Sequence, residues 1–106
     1  MSENLLDQIK FDVESNKILI YMKGTPEAPQ CGFSARTVEL FRELGYPFAT
    51  RDVLADSELR VKLPQFSKWP TFPQVFLNGK LVGGCVVVVE MHERGELDPG
   101  IREALG

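Results

Sequence analysis

A chain of 106 residues with 43% apolar and 25% charged residues has the make-up of a globular domain, not of a disordered, collagen-like or disulfide-framework chain. Twelve Lys and Arg against fifteen Asp and Glu give a formal net charge of −3, a poor basis for gripping nucleic acid by phosphate neutralisation. No apolar run approaches the ~20 residues of a membrane helix, and two cysteines, Cys31 and Cys85, are too few for a four-ligand site on one chain.

The opening MSENLLDQIKFDVESN places Leu5, Leu6, Ile9 and Val13 at helical spacing. That predicts an amphipathic surface helix over 2–16, capped by Ser2. The stretch lacks the basic start and continuous apolar core of a signal peptide, and it has no Arg, unlike a transit peptide. The expected setting is therefore the cytoplasm, or an organelle for a mature form. KILIYMKG, ending at Gly24, reads as a buried strand, and TPEAPQ, with two prolines in six residues, as a loop. From Cys31 a helical pattern runs through Phe33, Val38, Phe41 and Leu44 to a stop at Gly45. YPFATRDV reads as a second strand. Asp56 or Ser57 caps a helix through ELRVKL, which Pro64 should interrupt or end.

PQVFL is a third strand, Asn78-Gly79 a strong hairpin signal, and KLV the fourth strand. Gly83-Gly84 breaks it. The remainder, CVVVVEMHERGELDPGIREALG, carries conflicting signals. Val86 to Val89 have strand propensity, yet Val87, Met91, Leu97, Ile101 and Leu105 recur at helical spacing, and helix is preferred. The order α-β-α-β-α-β-β-α-α gives a parallel pair, an antiparallel hairpin, and a mixed four-stranded sheet flanked by helices in one α/β domain over 1–106. His92 and the run Glu93-Arg94-Gly95-Glu96 read as solvated surface. Trp69 reads as packing beneath a turn.

Cys31 follows a Pro-rich loop and opens a helix. The first helical N–H groups are unpaired and the dipole is positive there, so a thiolate is favoured, and Lys23 can add a positive charge. A lowered thiol pKa follows. Ser34 stands where a dithiol enzyme would have its second cysteine, so no disulfide can form within Cys31-Gly32-Phe33-Ser34. Cys31 reacts with an outside thiol, pairs with Cys85, or serves as a metal ligand. Cys85 is otherwise a small packing residue.

These residues carry a resemblance. Lys23-Gly24-Thr25-Pro26, Cys31-Gly32-Phe33-Ser34, Trp69-Pro70-Thr71-Phe72-Pro73-Gln74, Asn78-Gly79 and Gly83-Gly84-Cys85 together resemble the CGFS-type monothiol glutaredoxins, in their short, single-domain form. The match is collinear over nearly the whole chain. It implies a thioredoxin-like fold, helices at the C-terminal end, and a cis peptide bond before Pro73. It also implies a glutathione groove lined by Lys23, Cys31, Phe33, Arg60, Thr71, Phe72, Gly84, Cys85 and Val86. By chemistry, Lys23 and Arg60 suit carboxylates, and the N–H groups at Gly84-Cys85 suit another. Gln65 and Lys62 are plausible at the rim. One position departs from the family, which usually reads Gly-Gly-Cys-Asp. Val86 can neither meet the ammonium of glutathione nor cap a helix, which leaves weaker affinity, an acid supplied from elsewhere, or an altered residue.

The functional expectation is iron–sulfur cluster carriage. A [2Fe–2S] cluster needs four ligands; two chains and two glutathiones supply two Cys31 sulfurs and two glutathione sulfurs. The implied partners are a second copy of the chain, a BolA-like protein and recipient iron–sulfur apoproteins. The alternatives are weak glutathione-dependent deglutathionylation through Cys31 alone, and an iron-status adaptor.

Overall fold

The computed structural model describes residues 2–106, with side chains from residue 4 onward, so the cap expected of the Ser2 side chain lies outside it. Eleven elements follow one another among these residues. They are α1 (Ser2–Ser15), β1 (Ile18–Met22), β2 (Gly24–Thr25), β3 (Ala28–Pro29), α2 (Gly32–Leu44), β4 (Ala49–Asp52), α3 (Ser57–Ser67), β5 (Gln74–Leu77), β6 (Lys80–Gly83), α4 (Cys85–Glu93) and α5 (Leu97–Leu105). Among the described residues no helix is long and apolar enough to cross a membrane.

The main sheet has the order β4-β1-β5-β6. β1 pairs parallel with β4 and antiparallel with β5, and β5 and β6 form the expected antiparallel hairpin through Asn78 and Gly79, both with positive φ. β1 is buried along its whole length. That is why ILIYM is continuously apolar rather than alternating: both of its faces are covered. The two-residue side-chain period of the strand then divides the core in two. Ile18, Ile20 and Met22 pack with Val38, Phe41, Val88, Leu97 and Ile101 from α2, α4 and α5. Leu19 and Tyr21 face the other way, onto Ile9, Val13, Leu59 and Leu63 from α1 and α3.

Three expectations need correction. Pro64 lies inside α3 without ending it. The ring removes only the bond that would run to Arg60, whose carbonyl lies on an exposed residue, while buried Leu63 and packed Phe66 hold the last turn in place. The helix stops at Lys68, which has a φ of 61° and donates its N–H to the Pro64 carbonyl at 2.8 Å. TPEAPQ, with Gly24 before it, forms a small hairpin, Gly24–Thr25 against Ala28–Pro29, steadied by the Ala28 N–H donating to Thr25 Oγ1 at 3.1 Å. The second strand of the sheet is shorter than YPFATRDV and begins only at Ala49, two residues beyond Pro47, which has no N–H to give a ladder.

The C-terminal segment is helical, as its spacing predicts. α4 accommodates four consecutive valines because Val88 is buried in the core while Val86 is left exposed. The glycine pair before it is a packing requirement. A Cβ at Gly83 would lie 2.9 Å from Val87 Cβ, and one at Gly84 would lie 3.1 Å from the Pro73 carbonyl oxygen and 3.3 Å from Trp69 Nε1. The β6–α4 junction therefore presses directly against the turn that carries Pro73.

Candidate functional site

Four connections converge at one end of the sheet: β1 into the small hairpin, the start of α2, the turn between α3 and β5, and the start of α4. They enclose a groove of about 760 Å³. Lys23, Cys31, Phe33, Arg60, Thr71, Phe72, Gly84, Cys85 and Val86, all marked in the sequence, line this one groove. Lys62 and Gln65 do not. Val61, Pro64, Trp69, Pro70, Pro73 and Val87 complete the wall. A second depression of about 560 Å³ adjoins it, sharing Cys31, Phe33, Cys85 and Val86 and adding Arg36, Val89 and Glu90.

Cys31 is the N-cap residue of α2, in extended conformation, and half-exposed. The backbone N–H of Ser34 is the largest influence holding its thiol below the ordinary value. Partial burial opposes that, and the Phe33 N–H, the positive charge of Lys23 and the Ser34 hydroxyl add to it. The sulfur does not complete a cap hydrogen bond. Its stabilisation is that of amide dipoles aimed at a nearby anion, the arrangement a helix start provides. Cys85 is also a free thiol but is buried.

The surrounding backbone is tied down by polar side chains, buried in Ser34 and Gln74 and half-buried in Asp52. Ser34 is fully buried, and its hydroxyl accepts the Lys23 N–H at 3.1 Å. Asp52 Oδ1 accepts the N–H groups of Gly24 at 2.9 Å and Leu54 at 2.8 Å. Lys23 also accepts through its carbonyl from the Gln30 N–H at 2.9 Å. The lysine backbone is thus held from both sides, while its side chain reaches the groove. Across the groove, fully buried Gln74 donates from Nε2 to the carbonyls of Trp69 at 2.9 Å and Thr71 at 3.2 Å. This fixes the turn that presents Thr71 and Phe72, in which the Phe72–Pro73 peptide bond is cis, as the resemblance implied.

Sequence reasoning did not single out Ser34, Asp52 and Gln74 as builders of the site. Only Gln74 gave a local signal, a polar side chain at the head of an apolar strand. Trp69, expected only to pack beneath a turn, forms part of the groove wall, and its indole N–H is buried beside Gly84 with no partner. His92 is exposed, as expected.

The glutaredoxin family model matches residues 18–82. The chain is 52% identical over 87 residues to the probable monothiol glutaredoxin GrlA of Legionella pneumophila, covering 82% of this chain and 98% of that protein. The chain belongs to the glutaredoxin family, in its monothiol group. It is also 41% identical over 105 residues to the mitochondrial monothiol glutaredoxin-S15 of Arabidopsis thaliana, spanning 99% of this chain but 62% of that protein's length. Among solved structures, the buckwheat glutaredoxin–glutathione complex superposes with a TM-score of 0.84 at 30% identity, covering 96% of this chain and 91% of that one. The thioredoxin-like fold of this glutaredoxin agrees with the mixed sheet read from the order of its elements.

Proposed function

We propose that this glutaredoxin binds glutathione in the groove and, as a dimer, carries a [2Fe–2S] cluster as cargo to acceptor apoproteins. The observation that carries the proposal is the half-exposed, thiolate-favouring Cys31 at the edge of a groove that also holds Lys23 and Arg60. The groove lies within the ~300–1,000 Å³ usual for small-ligand sites. Lys23 and Arg60 take one carboxylate, the α4 N–H groups at Gly84 and Cys85 take the other, and Thr71 and Phe72 flank the peptide backbone. Phe33 and Val86 supply apolar contact. The buckwheat protein's complex with glutathione supports this assignment.

Among the described residues no group of three or more His, Cys, Asp and Glu side chains is placed to hold a metal ion. A cluster with four ligands is therefore completed from outside the chain. Two copies, each with Cys31 and one bound glutathione, make four sulfurs. A BolA-like protein in place of the second copy is the alternative assembly, and the same pairing would serve an iron-status adaptor. The single glutaredoxin domain acts in the cytoplasm, or in an organelle as a mature form. Anaerobic reconstitution with iron, sulfide and glutathione tests the proposal. The expected product is a coloured dimer that Cys31→Ser abolishes. A colourless monomer under the same conditions refutes it.

The same thiolate supports a second reading as an enzyme. Cys31 attacks the glutathione sulfur of a protein mixed disulfide, releasing the protein thiolate and becoming glutathionylated. A second glutathione then attacks that sulfur, freeing Cys31 and leaving oxidised glutathione. Turnover of a glutathionylated peptide at the rate of a dithiol glutaredoxin would place this activity first.

A further inference from the structure

Apart from the Cys31 thiolate, the groove carries charge of one sign only. Among the described residues, Lys23 and Arg60 are the only Lys, Arg, Asp or Glu side chains that line it. Glutathione brings two carboxylates and one ammonium. Its carboxylates have partners here. Its ammonium has no carboxylate to meet, whichever way the tripeptide is laid.

The groove meets the adjoining depression at the start of α4, where Cys85 and Val86 line both. The first turn of α4 contains no acidic residue, and Val86, at its second position, is 61% exposed and lines both depressions. The nearest acid along that face is Glu90, one helical turn on. It lines the adjoining depression, as does Arg36, and not the groove itself. An ammonium set down beside Val86 gives up water without gaining a charged partner.

Resting on the glutathione reading, we infer that the groove selects its ligand by one thiol and two carboxylates and is indifferent to the amino group. Thiol peptides whose α-amino group is absent or acylated are then ligands on a par with glutathione. Val86 is the residue that sets this specificity, and the electrostatic match is between a dianionic ligand and a doubly cationic wall.

The test compares glutathione with glutaryl-cysteinyl-glycine, the same molecule with hydrogen in place of the ammonium. Both are titrated without oxygen, by calorimetry and by the fluorescence of Trp69, the only tryptophan of the chain and a groove residue. The wild-type protein binds the two with affinities within about threefold, since no charge-assisted bond separates them. Val86→Asp prefers glutathione by about tenfold or more, the worth of one such bond. Glu90→Gln leaves the wild-type ratio unchanged. Three results overturn the inference: a wild-type preference for glutathione of about tenfold, a ratio that Val86→Asp does not move, or a ratio that Glu90→Gln does. Absence of any heat or quenching with either ligand overturns the glutathione reading and the inference with it.

Discussion

Replacing Ser34 with alanine separates two influences on Cys31. The backbone N–H of residue 34, the largest factor favouring the thiolate, is retained, whereas the hydroxyl, the smallest, is lost. That hydroxyl also accepts the Lys23 N–H at 3.1 Å from a fully buried position. Alanine leaves this amide without its partner, at a cost of about 1–3 kcal/mol. In a chain of this length each kcal/mol lowers the melting midpoint by roughly 4–8 °C. Ser34→Ala is therefore expected to melt clearly below the wild type. The Cys31 thiol is expected to titrate slightly higher than in the wild type yet still below the ~8.5 of a free cysteine. Thermal melts followed by circular dichroism read the first effect. The pH dependence of iodoacetamide alkylation, resolved at Cys31 by mass spectrometry, reads the second. An unchanged melting midpoint would show that the hydroxyl bond does not hold the groove. A thiol titrating at or above ~8.5 would show that the backbone amide is not the main influence.

Other consequences follow from the same structure. Because folding depresses the Cys31 pKa, its contribution to stability is fully present above the unfolded value of ~8.5 and is lost as pH falls through the folded value. The stability difference between wild type and Cys31→Ser, measured by urea melts, is expected to grow in favour of the wild type as pH rises through that window; a difference that shrinks contradicts the assignment. Gly83→Ala places a Cβ 2.9 Å from Val87 Cβ at a φ of 148°. It is expected to cost about 1–3 kcal/mol, measurable as a lower urea midpoint, with a wild-type midpoint counting against the tight junction. Asp56→Ala removes the acceptor of the Leu59 N–H at 3.0 Å and should cost about 1 kcal/mol in the same melt, with amide exchange rising first in α3.

Much of this fold could be read from spacing because its signals are local. Leu5, Ile9 and Val13 share a helix face whatever follows them, Asn78-Gly79 specifies its own turn, and Gly45 takes the left-handed conformation that ends α2 with a φ of 81°. Pro64 misled for the opposite reason. Its local effect is to break helices, and it is overridden by the burial of Leu63 and the packing of Phe66. The site divides in the same way. Cys31 and the two cations declare their chemistry by residue type. Ser34 and Asp52 do not, because their partners lie 11 and 28 positions away in the chain. Nothing near Asp52 announces that it will hold the Gly24 N–H. Only the parallel pairing of β1 with β4, which sets Met22 opposite Asp52, brings the two together.

That division bears on how one groove can be assembled from four loops and still hold a shape. Loop backbone is ordinarily the mobile part of a fold. Here two walls are anchored by polar side chains of adjoining elements, buried in Ser34 and Gln74 and half-buried in Asp52. Ser34 of α2 and Asp52 of β4 hold the Lys23–Gly24 side, and Gln74 of β5 holds the Trp69–Thr71 side. The third wall, at Gly84, has no such anchor and is set by contact, since a methyl there would lie 3.1 Å from the Pro73 carbonyl oxygen, closer than ordinary packing. The groove is thus formed before any ligand arrives, and little ordering cost remains for binding. Its selectivity then rests on the few side chains that project into it. On the proposed glutathione reading, with Lys23 and Arg60 fixed in sign, the exposed position at Val86 is where a single substitution would change which thiol is accepted without disturbing the frame.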